Sequence, residues 1–153
     1  MLVLVSALGT STRGPEKLNP RKLLEYFIEI SKNRRHVLDE VMIRRIISAV
    51  YFALFNYWSL KSYLKGMRGN GPLRDSFWFS TFHEHLLRQG LDYALYTIYL
   101  YRVAADHYTL NPTKVVLTSK PWKEDERKIE INDAALKIVL ESAHDILEYL
   151  EKY

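Results

Sequence analysis

Ile46-Ile47-Ser48-Ala49-Val50-Tyr51-Phe52-Ala53-Leu54-Phe55-Asn56-Tyr57-Trp58 is apolar on nearly every side of a helix. A helix with one face in water carries a narrower apolar stripe, so this one must meet neighbours in several directions. It reads as the central helix of a bundle. Arg44, Arg45 and Lys61 flank the run closely, and Ser48 and Asn56 interrupt it, which suits a protein core better than a bilayer. Asp39 stands where an N-cap is needed. Ala49 and Ala53, four apart, put small side chains on one stripe, where another backbone can come close.

Towards the N-terminus, Asn19 and Pro20 form a cap followed by a first-turn proline. The apolar spacing Leu23, Leu24, Phe27, Ile28, Ile30 then predicts a helix from about Pro20 to Asn33. Towards the C-terminus, Gly66-Met67-Arg68-Gly69-Asn70-Gly71-Pro72 must be a loop, because glycine and proline at this density cost a helix heavily. Lys61, Lys65 and Arg68 there read as complements to the central helix's own C-terminus. A third helix is expected over residues 74–88, ending at Gly90, with Phe77, Trp78, Phe82 and Leu86 as its buried row. A fourth is expected from near Leu91 to about Tyr108. Leu95, Ile98 and Ala105 share one stripe, Tyr93, Tyr96, Tyr99 and Tyr101 spread around it, and Pro112 sets its limit.

Lys114-Val115-Val116-Leu117-Thr118 is rich in β-branched residues and Arg127-Lys128-Ile129-Glu130-Ile131 alternates, which predicts a β-hairpin insertion over residues 113–131, joined by Leu2-Val3-Leu4-Val5 as a third strand. Asn132 then caps a last helix whose inward stripe is Ala135, Ile138, Val139, Ser142, Ile146, Tyr149 and Leu150. The expected fold class is all-α: an up-and-down bundle of about five helices with a small β-hairpin insertion before the last. Residues 1–153 read as a single domain, with residues 1–18 as an N-terminal arm or strand.

Composition narrows the function classes. At 48% hydrophobic residues over 153 positions the chain can bury a real core. It has no cysteine, which removes disulfides, thiolate metal sites and thiol nucleophiles, and makes the cytoplasm the expected compartment. Residues 1–9, MLVLVSALG, lack a basic n-region and are too short to span a bilayer, so no membrane segment is expected. The formal charge is +4. Residues 123–153 carry nine acidic and five basic side chains, so the preceding residues hold about +8, a balance that can attract a polyanion. A single glutamine, Gln89, amid many Lys, Arg, Glu and Ile residues leans towards a heat-adapted, thermophile source.

The stretch richest in chemistry is Tyr101-Arg102-Val103-Ala104-Ala105-Asp106-His107-Tyr108. Arg102 and His107 are separated by four residues. Five helical steps turn the chain by about 140° and raise it about 7.5 Å, so the two side chains are not direct neighbours on one face. They can line one groove, above all across a two-fold interface. By local pattern alone, Arg102 and Asp106 equally suit an ordinary ion pair, and His107 a cation near a helix C-terminus.

Order along the chain adds to this. The central helix with its Tyr51-Phe52-Ala53 step is followed by a glycine-bearing loop, a His-containing helix, and the helix carrying Arg102 and His107. That succession resembles the HEPN family, over roughly residues 20–110 and the terminal helix. The resemblance implies a helical bundle that forms a homodimer and acts as a metal-independent endoribonuclease, with Arg102 and His107 as the catalytic pair and no cofactor. It also implies RNA or nucleotide as ligand, and a possible role as the toxin of a toxin–antitoxin pair whose partner is a minimal nucleotidyltransferase. The alternative within the family is a non-catalytic nucleotide-binding or partner-binding module. Some family toxins carry, two residues after the His, a tyrosine that the partner modifies. Here Thr109 holds that position and Tyr108 is adjacent to His107, which argues against adenylylation. Other members carry Ala-Asp-Tyr without the His, whereas Ala105-Asp106-His107 keeps it.

The residue types suit that chemistry. Imidazole exchanges a proton near neutral pH, and a permanently charged guanidinium holds a phosphate and stabilises charge developing on it. With the RNA 2′-hydroxyl as nucleophile, the products are a 2′,3′-cyclic phosphate and a 5′-hydroxyl. Arg34, Arg35, His36, Arg44 and Arg45 are the densest basic grouping; its arginines and Tyr108 are the candidate nucleic-acid contacts. A solvated corner between helices reads equally well there. Glu141 and His144 match half of a di-iron helix pattern, but a second copy is missing, and His83 and His85 point about 200° apart, so no metal site is expected.

Overall fold

The computed structural model describes residues 20–33, 39–71, 77–107, 115–117, 125–127 and 129–153. Five helices run Pro20–Asn33 (α1), Glu40–Leu64 (α2), Phe79–Arg88 (α3), Asp92–His107 (α4) and Asp133–Lys152 (α5). The N-terminal arm expected over residues 1–18, and the third strand within it, lie outside the described residues.

Helix α2 is the hub. Its Ile46, Ile47, Val50, Tyr51, Ala53, Leu54 and Trp58 are all buried, and it packs on α1, α3, α4 and α5. Burying an apolar side chain of this size contributes about 1.5–3 kcal/mol, so this helix supplies much of the drive to fold. The Asp39 carboxylate accepts from the Met42 backbone N–H at 2.8 Å, and the Asn132 side-chain Oδ1 from that of Ala135 at 2.9 Å, so both expected N-caps form.

Long-range polar contacts fix the helix directions. Arg21, in the first turn of α1, meets Glu151, near the end of α5, at 3.2 Å. Lys61, near the end of α2, donates its ammonium to the Leu150 and Glu151 carbonyls at the end of α5. Arg44, near the start of α2, donates Nη1 to the Ala104 and Ala105 carbonyls near the end of α4, at 2.9 and 3.1 Å. Helices α1 and α4 therefore run opposite to α2 and α5, an up-and-down arrangement. Lys61 was expected to serve the C-terminus of its own helix, but its long stem lets it serve that of α5.

Helix α3 begins later than its sequence suggests. Phe77 and Trp78 lie outside the helix, with Trp78 extended at φ −77°, ψ 150°. The Trp78 N–H donates to the Asn70 side-chain oxygen at 3.0 Å, and the Asn70 amide donates to Thr81 Oγ1 at 2.6 Å. The glycine loop thus fastens the start of α3. Trp78, outside the helical period, is 59% exposed instead of buried, while Phe77, Phe82 and Leu86 are buried as expected. In α5, Ile138 is likewise exposed rather than inward, because Leu136, Val139 and Ala143 take the core positions. Gly66 and Gly90, at φ +86° and +74°, end α2 and α3 in the left-handed region that a side chain disfavours.

Before α5, Val115–Leu117 (β1) and Asp125–Arg127 (β2) pair antiparallel, with Val116 opposite Glu126. The ladder is three residues a side and adds no layer to a helical fold; the residues between the strands lie outside the described ones. The alternation expected to make a strand up to Ile131 serves another end. Ile129 and Ile131 leave the ladder and pack on the helical core just ahead of the Asn132 cap.

Candidate functional site around Arg102

The two stretches that carried the sequence resemblance meet in space. Arg102, late in α4, lays its guanidinium carbon 5.4 Å from the Tyr51 ring centre, 5.2 Å from Phe52 and 5.8 Å from Phe79. Each distance is within the range at which a cation is attracted by an aromatic face. The side chain is only 16% exposed, so this attraction acts in a partly desolvated setting.

Asp106 holds the guanidinium from the other side. Its Oδ2 lies 2.9 Å from Arg102 Nε, an ion pair whose alignment is too poor for a hydrogen bond, since the Nε–H finds no acceptor. Among the described residues, none holds either Nη group. The arrangement orients the planar head while leaving its outer edge for an anion. His107, last in α4, is exposed and has no partner among the described residues.

Beneath the rings lies a buried polar pair. His83 Nε2 and the Tyr51 hydroxyl are 2.7 Å apart, and the His83 ring packs edge-on to Tyr99 at 4.7 Å. Burial, aided by the nearby Arg102 charge, lowers the His83 pKa to about 4, so this imidazole is neutral at pH 7. Burial raises that of the Tyr51 hydroxyl, against the opposing pull of Arg102. A neutral pair under a fixed cation anchors Tyr51, and through it the surface on which Arg102 rests.

The remaining sequence candidates divide. Arg44 is 12% exposed and occupied by Glu40 and the two α4 carbonyls, so it fastens helices instead of offering charge to a phosphate backbone. Arg45 is exposed. Arg34, Arg35, His36 and Tyr108 lie outside the described residues. His83 and His85 go to different partners, the latter 2.6 Å from the Tyr149 hydroxyl. Glu141 and His144 are both exposed, and His144 approaches Glu148, at 4.0 Å, within its own helix. Among the described residues no group of three or more His, Cys, Asp or Glu side chains is placed to hold a metal ion. Nor, among these residues, is any helix long and apolar enough to cross a membrane.

Sequence reasoning missed the aromatic bed, the Tyr51–His83 pair and the part played by Phe79. A signal existed for Tyr51 and Phe52, since both belong to the Tyr51-Phe52-Ala53 step. For Phe79 and His83 there was none, because their meeting with α4 is a matter of tertiary packing. Comparisons with family models, with curated proteins and with solved structures returned no match.

Proposed function

We propose that this protein acts on RNA as a metal-independent endoribonuclease of the HEPN type, working as a homodimer in which Arg102 and His107 of two copies converge on one phosphodiester. The observation that carries this reading is the seat of Arg102. A guanidinium steered by Asp106 through Nε, backed by Tyr51, Phe52 and Phe79, and unclaimed at Nη among the described residues is prepared to take a phosphate. His107 stands open on the same helix. About 140° of helical turn separates the two, which is why a second copy is needed to complete the site. In the step proposed, His107 takes the proton of a ribose 2′-hydroxyl, the freed oxygen attacks the adjacent phosphorus, and the P–O5′ bond breaks. The departing 5′-oxygen receives a proton, while Arg102 stabilises the charge on the phosphoryl oxygens.

A second reading, an RNA-binding or nucleotide-binding module without turnover that serves a nucleotidyltransferase partner, is favoured by the Asp106 carboxylate. The group that orients Arg102 also offsets the charge it could set against a developing phosphoryl transition state, which counts against turnover. Purified protein incubated with mixed RNA in chelator separates the two. Under the nuclease reading, RNA is cut to cyclic-phosphate ends, and Arg102→Ala and His107→Ala each abolish cutting with helicity and dimer mass unchanged. Intact RNA with saturable binding selects the module. Cutting that persists in both variants rejects Arg102 and His107 as the catalytic pair.

A further inference from the structure

Phe79 occupies an unusual place for a large apolar side chain. It is 38% exposed although it touches Phe55 at 4.5 Å, Phe52 at 5.7 Å and Tyr51 at 5.8 Å between ring centres. Its inner side is therefore fixed by three rings, and the rest faces solvent beside the Arg102 guanidinium, 5.8 Å away. Its chain neighbour Trp78 is 59% exposed, held at the backbone by Asn70. A rigid aromatic surface with a cation at its margin matches a nucleotide, which pairs a flat π-system with an anionic phosphate one sugar away. We propose that Phe79 is a stacking platform for the nucleobase adjoining the phosphate held by Arg102, so that the ligand is single-stranded RNA with an unstacked base at this position. This rests on the RNA reading above and adds the strand form and the residue that selects it.

The physical reason for single strands is access. In a duplex each base is stacked on both faces and cannot lie on a side chain, whereas an unpaired base can leave its neighbours. Stacking on an aromatic side chain tolerates any base, so the platform confers a preference for strand form and little for sequence. Phe79 is a binding residue in this account.

The test is fluorescence anisotropy with a labelled 12-nucleotide RNA whose 2′-hydroxyls are methylated so that it cannot be cut, as single strand and as duplex, at one fixed salt concentration. A third probe is a single strand with abasic sites. The expected result is tighter binding of the single strand than of the duplex. Phe79→Ala weakens single-strand binding by about 5- to 150-fold, the range for one lost stack. Phe79→Tyr restores it, and the abasic strand binds wild type and Phe79→Ala alike. Circular dichroism of Phe79→Ala shows whether the bundle survives; if it does not, Phe79→Leu, which keeps apolar bulk without the π-face, takes its place. Binding that Arg102→Ala weakens and the Phe79 variants leave unchanged overturns the platform while sparing the RNA reading. A wild-type protein that binds no RNA overturns both.

Discussion

At the scale of single residues, Asp106 offers the substitution that separates the nuclease reading from the binding-module reading. Its carboxylate both aims and neutralises the Arg102 guanidinium, and these effects separate on substitution. Asp106→Asn should tighten RNA binding, because a negative charge leaves the phosphate's neighbourhood. The same change should cut cleavage by up to about 100-fold, the usual consequence of a misplaced reacting group, as single-turnover assays would record. His83 yields a pH prediction. Its folded pKa of about 4 lies below the ordinary histidine value near 6.5, so the unfolded chain binds the extra proton first on acidification. Its contribution is complete above about pH 6.5 and is lost as pH falls through about 4. A fall of at most about 3 kcal/mol follows from the shift. His85, also lowered, chiefly by burial, acts in the same direction. Urea midpoints of wild type and His83→Gln between pH 7 and 4 should therefore converge as pH drops; parallel curves would mean that His83 takes up its proton at the same pH whether folded or unfolded.

Among elements, the ends of helices were the most legible parts of the sequence. Asp39, Asn132, Gly66 and Gly90 announce themselves because capping and left-handed backbone depend on a residue's own chemistry. The start of α3 was not legible, since it is fixed by Asn70, eight positions before Trp78, and no local period encodes that hydrogen bond. Lys61 was assigned to its own helix for the same reason, whereas its carbonyl partners are 89 and 90 positions away. Lys61→Met, which keeps the stem and removes the ammonium, should cost about 1.5–3 kcal/mol by urea unfolding, the range for hydrogen bonds to a charged group. Asn132→Ala should cost about 1 kcal/mol in the same assay. If Lys61→Met proves no worse than Asn132→Ala, the tie between α2 and α5 is a surface ornament.

For the molecule as a whole, the bundle was readable because one helix, α2, is apolar all round and so demands partners on several sides. Trp58 stands at its crowded end, fully buried against Phe77, Phe82 and His85. Trp58→Ala should remove about 3–5 kcal/mol, a large part of the stability of a domain this size, and lower the urea midpoint accordingly. The candidate site was half readable: Arg102 and His107 stand out by spacing, whereas the rings that receive Arg102 come from two other helices. Arg44 joins these levels. Its grip on the last turns of α4 sets how far that helix can slide along α2, since a shift of one turn would strand the guanidinium away from both carbonyls. A strand tugging on the tip that bears His107 would thus pull against the hub of the fold, with Arg44 as the mooring line that keeps the tip from drifting.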